Sequence, residues 1–132
     1  MKKLFCSVSV GILAVLTIFA TISLAASGPN MGGMNEDDYL DRFGYVQIQP
    51  SYLDAGRHAW QGRVKLVITD SVGNTTTTGY SYTESAYDFD DDTIYRAEKH
   101  YITDVWNDVF ALYAFYWNTT HSWSPNNVGL TE

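Results

Sequence analysis

Asp88-Phe89-Asp90-Asp91-Asp92 is the densest group of potential ligands in the chain. Carboxylates at alternate positions are how a loop wraps a hard cation such as Ca²⁺, which takes roughly six to eight oxygens. On a calcium-loop template, Asp88, Asp90 and Asp92 fill the first, third and fifth places. Thr93 then stands where glycine makes the sharp turn, and Lys99 where the bidentate glutamate belongs, with Glu98 one position off. A calcium site here would rest on those three aspartates. The competing reading is a solvated acidic loop joining two strands, or acids at a helix start, where carboxylates suit the positive end.

Aromatic rings are the second kind of chemistry on offer. Trp60, Trp106, Trp117 and Trp123, with ten tyrosines, can supply a face that stacks on sugars or anchors a protein partner. Trp106 and Trp117 flank or end an apolar run and read as core. Trp60, in His58-Ala59-Trp60-Gln61-Gly62, and Trp123, in a polar tail, are the candidate binding residues. His58, His100 and His121 lie too far apart in sequence for a metal spacing, although His100 and Asp104 would pair at i, i+4 on a helix. There is no G-x-S-x-G nucleophile elbow and no phosphate-cradling glycine loop. A hydrolase is therefore the weakest of the readings, and the chain is read as non-enzymatic. Asn74-Thr75-Thr76 and Asn118-Thr119-Thr120 match the glycosylation sequon; in a bacterium they are turn residues.

The elements that must position these residues begin after a leader. Met1-Lys2-Lys3 precedes an apolar stretch from Leu4 to Leu24, then small residues. Residues 1–25 read as a signal peptide, with an uncleaved membrane anchor as the rival. The basic start with its export signal has a bacterial look, and the destination is extracellular. Without that segment, 107 of the 132 residues remain, with 6 basic and 15 acidic side chains, so 6 − 15 = −9 against −7 for the whole chain. The only cysteine, Cys6, goes with the leader. This excludes a disulfide-stapled fold, a thiol enzyme and a cysteine zinc site. Such acidity also argues against nucleic acid as a partner, and against a membrane unless the leader stays attached.

Residues 26–43 are rich in Gly, Pro, Asn and Asp and read as a flexible arm; 118–132 read as a polar tail. The core domain is 44–117. Tyr45 to Pro50 alternates as a half-buried strand. Val64, Leu66 and Ile68 share one face and Arg63, Lys65 and Thr69 the other; Asp70 to Asn74 is a turn; Thr76, Thr78, Tyr80 and Tyr82 line one face of a return strand. Residues 62–83 thus predict a β-hairpin. The stretch 93–108 fits strands better than a helix, and Val109 to Trp117 fits a central strand covered on both sides. The fold expected is all-β, a small antiparallel β-sandwich or partly open barrel, with one short helix near 93–106 as the competing detail. A core of that size without disulfides needs its aromatic residues, a metal, or homo-oligomeric self-association for stability.

In its export signal, its size and its aromatic end Ala111-Leu112-Tyr113-Ala114-Phe115-Tyr116-Trp117, the chain is similar to the lactococcin 972-type bacteriocins, small exported β-sandwich proteins without mature cysteines. The family's early Trp-x-Tyr-Gly segment has Phe43-Gly44-Tyr45 as its counterpart, and its Tyr/His-rich stretch has none. The resemblance implies a secreted antimicrobial protein. The residues themselves favour a small exported domain that binds an extracellular protein or glycan.

Overall fold

The computed structural model describes residues 28–38, 41–103 and 107–129. The leader, Asp104 and Trp106 lie outside the described residues. The strands are β1 (Met31–Asp38), β2 (Asp41–Ile48), β3 (Ala59–Thr69), β4 (Thr75–Thr77), β5 (Ser81–Tyr82), β6 (Tyr95–Ile102), β7 (Asp108–Trp117), β8 (Ser122–Trp123) and β9 (Asn127–Gly129). All pair antiparallel. One sheet runs β1-β2-β6. The other is centred on β3 and β7; β4 and β5 share the outer side of β3, and β8 and β9 share the outer side of β7. The two sheets stack as a sandwich and do not close into a barrel.

Alternation decides the core. Val64, Leu66 and Ile68 of β3 turn inward onto Val46 and Ile48 of β2, with Ala97, Ala111, Phe115 and Trp117 completing the layer. Phe115 and Trp117 are 1% and 2% exposed. Burying roughly 150–250 Å² each at ~25 cal/mol per Å² contributes about 4–6 kcal/mol apiece before entropy. The sheets approach closest at glycines. A Cβ on Gly44 would stand 2.7 Å from the Ala111 Cβ, and one on Gly62 would stand 2.8 Å from a Val46 methyl.

The strand reading of 93–108 holds over Tyr95–Ile102, and strands also form in the arm and in the tail. Among the described residues there is no helix: Tyr95–Ile102 is β6, paired along its whole length with β2. Its Tyr95, Ala97 and Tyr101 pack on the core, while Arg96, Glu98 and His100 point away, so a period of two is satisfied where a helical period is not. The stretch read as a flexible arm holds β1 and the first residues of β2. Met34 is buried there, and Gly32 lies against the Tyr113 ring, which occupies the space a side chain would need. The tail supplies β8 and β9; Gly129 packs against the backbone of Gly33, and Asn127 is buried.

The hairpin over 62–83 forms with one slip. Leu66 faces Thr78, yet Val64 faces Ser81, so one extra residue sits in the return strand near Gly79. The slip puts Thr76 and Thr78 opposite the inward residues Ile68 and Leu66. Tyr82 falls opposite the outward Arg63. An unbroken alternation would have kept all four on one face. Two threonines repair the ladder at the breaks. Thr78 donates its N–H to the Leu66 carbonyl and accepts the Leu66 N–H on its hydroxyl, both at 2.9 Å. Thr83 makes the same reciprocal pair with Gly62, also at 2.9 Å in each direction.

Candidate functional site

The face of the β3–β7 sheet turned away from the core carries aromatic rings and cations. Along β3 the outward side chains include Gln61, Arg63 and Lys65; on β7 they include Tyr116 and Ala114. Ala114 lies directly opposite Arg63 and is fully buried. Because it is small, rings from both sides close over it onto the guanidinium. Tyr80 lies 4.2 Å from Arg63 and Trp123 4.4 Å, so Arg63 is flanked by two aromatic rings. Lys65 approaches the Tyr80 ring at 4.7 Å. Tyr82, 51% exposed, packs on Tyr80 and edge-on to Trp123, and Trp123 is edge-on to Tyr116.

Chain geometry sets this cluster. β8 returns antiparallel beside β7, which places Trp123 opposite Tyr116. The turn between them is closed by the His121 N–H donating to the Trp117 carbonyl at 3.0 Å, with His121 at φ +50°. Histidine is among the non-glycine residues that visit this left-handed region. Asn126 donates its side-chain N–H to the Tyr80 hydroxyl at 3.2 Å. Burial works against ionisation of Tyr80, but Asn126, Lys65 and Arg63 outweigh it and hold the phenol below its ordinary pKa.

A second aromatic group lies at the start of β3. The register shifts between Ala59 and Gln61, so Trp60 is the extra residue of a bulge. A bulge re-aims its side chain. The Trp60 ring stands 5.0 Å from Tyr87, 5.7 Å from Phe89 and 6.1 Å from His121. Tyr87 and Phe89 are 62% and 54% exposed. The Ala86 N–H donates to the Trp60 carbonyl, which extends the hairpin's return strand and delivers Tyr87 to the indole. His58 is edge-on to Phe89 and donates its Nδ1–H to the Pro50 carbonyl at 2.7 Å.

Trp60 and Trp123 are each half-buried among other rings, in two separate aromatic groups. Trp117 is core. Sequence reasoning placed Arg63 and Lys65 together on one face, yet missed them as part of the site. The hairpin register opposite Tyr82 was the available signal. No local signal pointed to the return of β8.

The aspartates of the acidic loop bond to the loop itself and to its neighbours. Asp88 accepts the Asp90 N–H at 2.8 Å, Asp91 accepts the Thr93 N–H at 2.9 Å and the Tyr95 hydroxyl at 2.6 Å, and Asp92 accepts the Ser51 hydroxyl. These are Asx turns and ties to the 49–51 segment, where Ser51 N–H also meets the Asp91 carbonyl. The Tyr95 hydroxyl and the Thr93 contacts keep Asp91 below the usual carboxylate range. Among the described residues, no group of three or more His, Cys, Asp or Glu side chains is placed to hold a metal ion.

The outer face of the other sheet carries an ionic group. His100 stacks on Phe43 at 4.7 Å and meets Asp41 through Nδ1 and Glu98 through Nε2, both at 3.0 Å. These two carboxylates raise the His100 pKa. Both ring nitrogens are engaged, one by Asp41 of the neighbouring β2 and one by Glu98 two residues back on β6. Arg96 reaches Glu98 at 2.9 Å and covers the Tyr45 ring at 4.2 Å. Among the described residues, no helix is long and apolar enough to cross a membrane. Comparison of the chain with family models, curated proteins and solved structures finds no match.

Proposed function

We propose that this protein is an exported, non-enzymatic β-domain that binds a protein or glycan outside the cell through the outer face of its β3–β7 sheet. The observation that supports this reading most is the company kept by Trp60 and Trp123. Exposed Tyr82 packs against Trp123, and exposed Tyr87 and Phe89, on the segment that follows β5, pack against Trp60, so flat apolar surface is offered together with hydroxyls and cations. Rings of this kind bring contact area at low conformational cost and are favoured anchors in interfaces. A folded monomer has no packing need to leave such rings at its surface in a cluster.

The test is collisional quenching of tryptophan fluorescence with acrylamide and iodide, on the protein and on Trp60→Phe and Trp123→Phe. Trp60 and Trp123 are expected to account for the quenchable emission, with Trp117 silent. Complete shielding of all the tryptophans would sink the proposal.

A further inference from the structure

Among the described residues, no acid answers Arg63 and Lys65 on this face. The chain holds 15 acidic and 8 basic side chains. Arg96–Glu98, His100–Asp41 and His100–Glu98 are ion pairs of the opposite sheet. Arg63 sits between two aromatic rings and Lys65 against one of them, with no carboxylate partner among the described residues, and the Arg63 Nε is buried without a hydrogen-bond acceptor. In so acidic a chain, two neighbouring bases left unpaired form a local positive spot inside an aromatic surface.

Stacking leaves the guanidinium a specific job. Rings on either side of Arg63 hold it in place and fill its apolar flanks. Its polar edge remains, a planar fork of N–H donors matched to the two oxygens of a carboxylate. Lys65 adds a point charge beside it. Around this fork, Tyr82 and Trp123 offer ring surface to the C–H groups of a ligand.

The shape of the surface selects among acidic ligands. Peptides are gripped by strand addition at a sheet edge, or by a helix laid in an apolar groove. Here the site is the face of a sheet. The backbone beneath it is already consumed by the β3–β7 and β7–β8 ladders and by the Thr83 pairing with Gly62. A flat face of rings around a carboxylate-reading fork suits a stiff, ring-shaped ligand that carries its own carboxylate. Resting on the binding function proposed above, we infer that the Arg63–Lys65–Tyr82–Trp123 face takes an acidic carbohydrate, a chain of uronic-acid-type sugars. The carboxylate lies on Arg63 and Lys65, and the sugar ring against Tyr82 and Trp123.

The experiment is calorimetric titration of the protein with oligogalacturonate, oligomannuronate and hyaluronan oligosaccharides. Methyl-esterified oligogalacturonate serves as the neutral match and poly-glutamate as the acidic peptide. At least one carboxylated oligosaccharide is expected to bind at least tenfold more tightly than the methyl ester and than poly-glutamate, with a change in tryptophan emission. Arg63→Gln should abolish the preference for acid over ester, and Lys65→Gln should reduce it. Tyr82→Ala should weaken acid and ester alike. Lys65 and Tyr82 are surface positions, so these two variants carry the test if Arg63→Gln fails to fold, as judged by circular dichroism. Equal binding of acid and ester would overturn the inference while leaving glycan binding intact. Equal binding of poly-glutamate would make the face an acidic-peptide site instead. Binding of none of the three carboxylated oligosaccharides, with Trp60 and Trp123 still quenchable, would overturn this inference and spare the broader one.

Discussion

Thr83→Val is the substitution on which the geometry speaks most directly. Thr83 is 3% exposed and its hydroxyl stands where a neighbouring strand would present a carbonyl. It accepts the buried Gly62 N–H at 2.9 Å and donates to the Glu84 carbonyl at 2.8 Å. The Thr83 backbone donates to the Gly62 carbonyl, and its own carbonyl accepts from the Gln61 side chain at 3.1 Å. Valine keeps the volume and β-branching and removes only the oxygen, so no cavity term enters. The Glu84 carbonyl belongs to an exposed residue and finds water. The Gly62 N–H does not, because it faces the interior between β3 and the return strand. An orphaned buried donor costs about 1–3 kcal/mol. For a domain of about 100 residues, 1 kcal/mol corresponds to roughly 4–8 °C in Tm. The expected fall is therefore about 4–24 °C. Thr83→Ser should retain most of the stability, because it retains the acceptor. Thermal unfolding followed by circular dichroism gives the shift. Hydrogen exchange at the Gly62 amide gives the cause: protected in the parent, fast in Thr83→Val, protected again in Thr83→Ser. A Thr83→Val protein within about 0.5 kcal/mol of the parent and with a protected Gly62 amide would refute the assignment of the hydroxyl as a ladder acceptor.

Two further perturbations test the other layers of the fold. The His100 pKa is raised in the folded state by Asp41 and then Glu98. Its pairing therefore stabilises fully below the unfolded value near 6.5 and is lost as pH rises through the folded pKa. The side chain is 40% exposed, so the loss should be small, about 0.2–1 kcal/mol, seen as a denaturation midpoint that falls above pH 6.5 in the parent and stays flat over that range in His100→Gln. Gly44→Ala should cost about 1–3 kcal/mol in urea unfolding, because its Cβ would stand 2.7 Å from the Ala111 Cβ and 3.0 Å from a Leu66 methyl on the facing sheet, and those atoms are already fully packed. A Gly44→Ala protein as stable as the parent would mean that the sheets can separate there at no cost.

How much of this was legible in the sequence depends on the range over which each signal acts. The β3 hairpin was readable because Val64, Leu66 and Ile68 alternate and Asp70 to Gly73 closes a turn, all within a few residues. β7 was readable because an apolar run with no polar face has only a central position to occupy, and it lies between β3 and β8–β9. β1 was not, since Met31-Gly32-Gly33-Met34 has no alternating side chains of its own. Gly32 is flat so that Tyr113, far along the chain, can lie on it, and only the finished sandwich reveals that reason. The tail escaped notice for the same cause: Gly129 is defined by its approach to the Gly33 backbone.

The site divides along the same line. Trp60 and Trp123 stood out as bulky residues in polar surroundings, a property each carries alone. Arg63 carries no such mark. An arginine on the polar face of a strand looks like any solvated charge. What makes it different is the pair of rings on its flanks, one reaching it through a slipped hairpin and the other through the β8 return after a left-handed His121. Both devices are departures from regular pairing, and pattern reading assumes regular pairing. The slip also decides what faces Arg63. It sets Tyr82 rather than Ser81 opposite Arg63, so the cross-strand neighbour is a ring. Deleting Gly79 would take out the extra residue and leave the pairings on both sides of it in place, with Tyr82 still opposite Arg63 and Tyr80 opposite Lys65. A Gly79 deletion that still folds should therefore keep both the face and the core, and loss of amide protection at Arg63 and Tyr82 in that variant would refute this register.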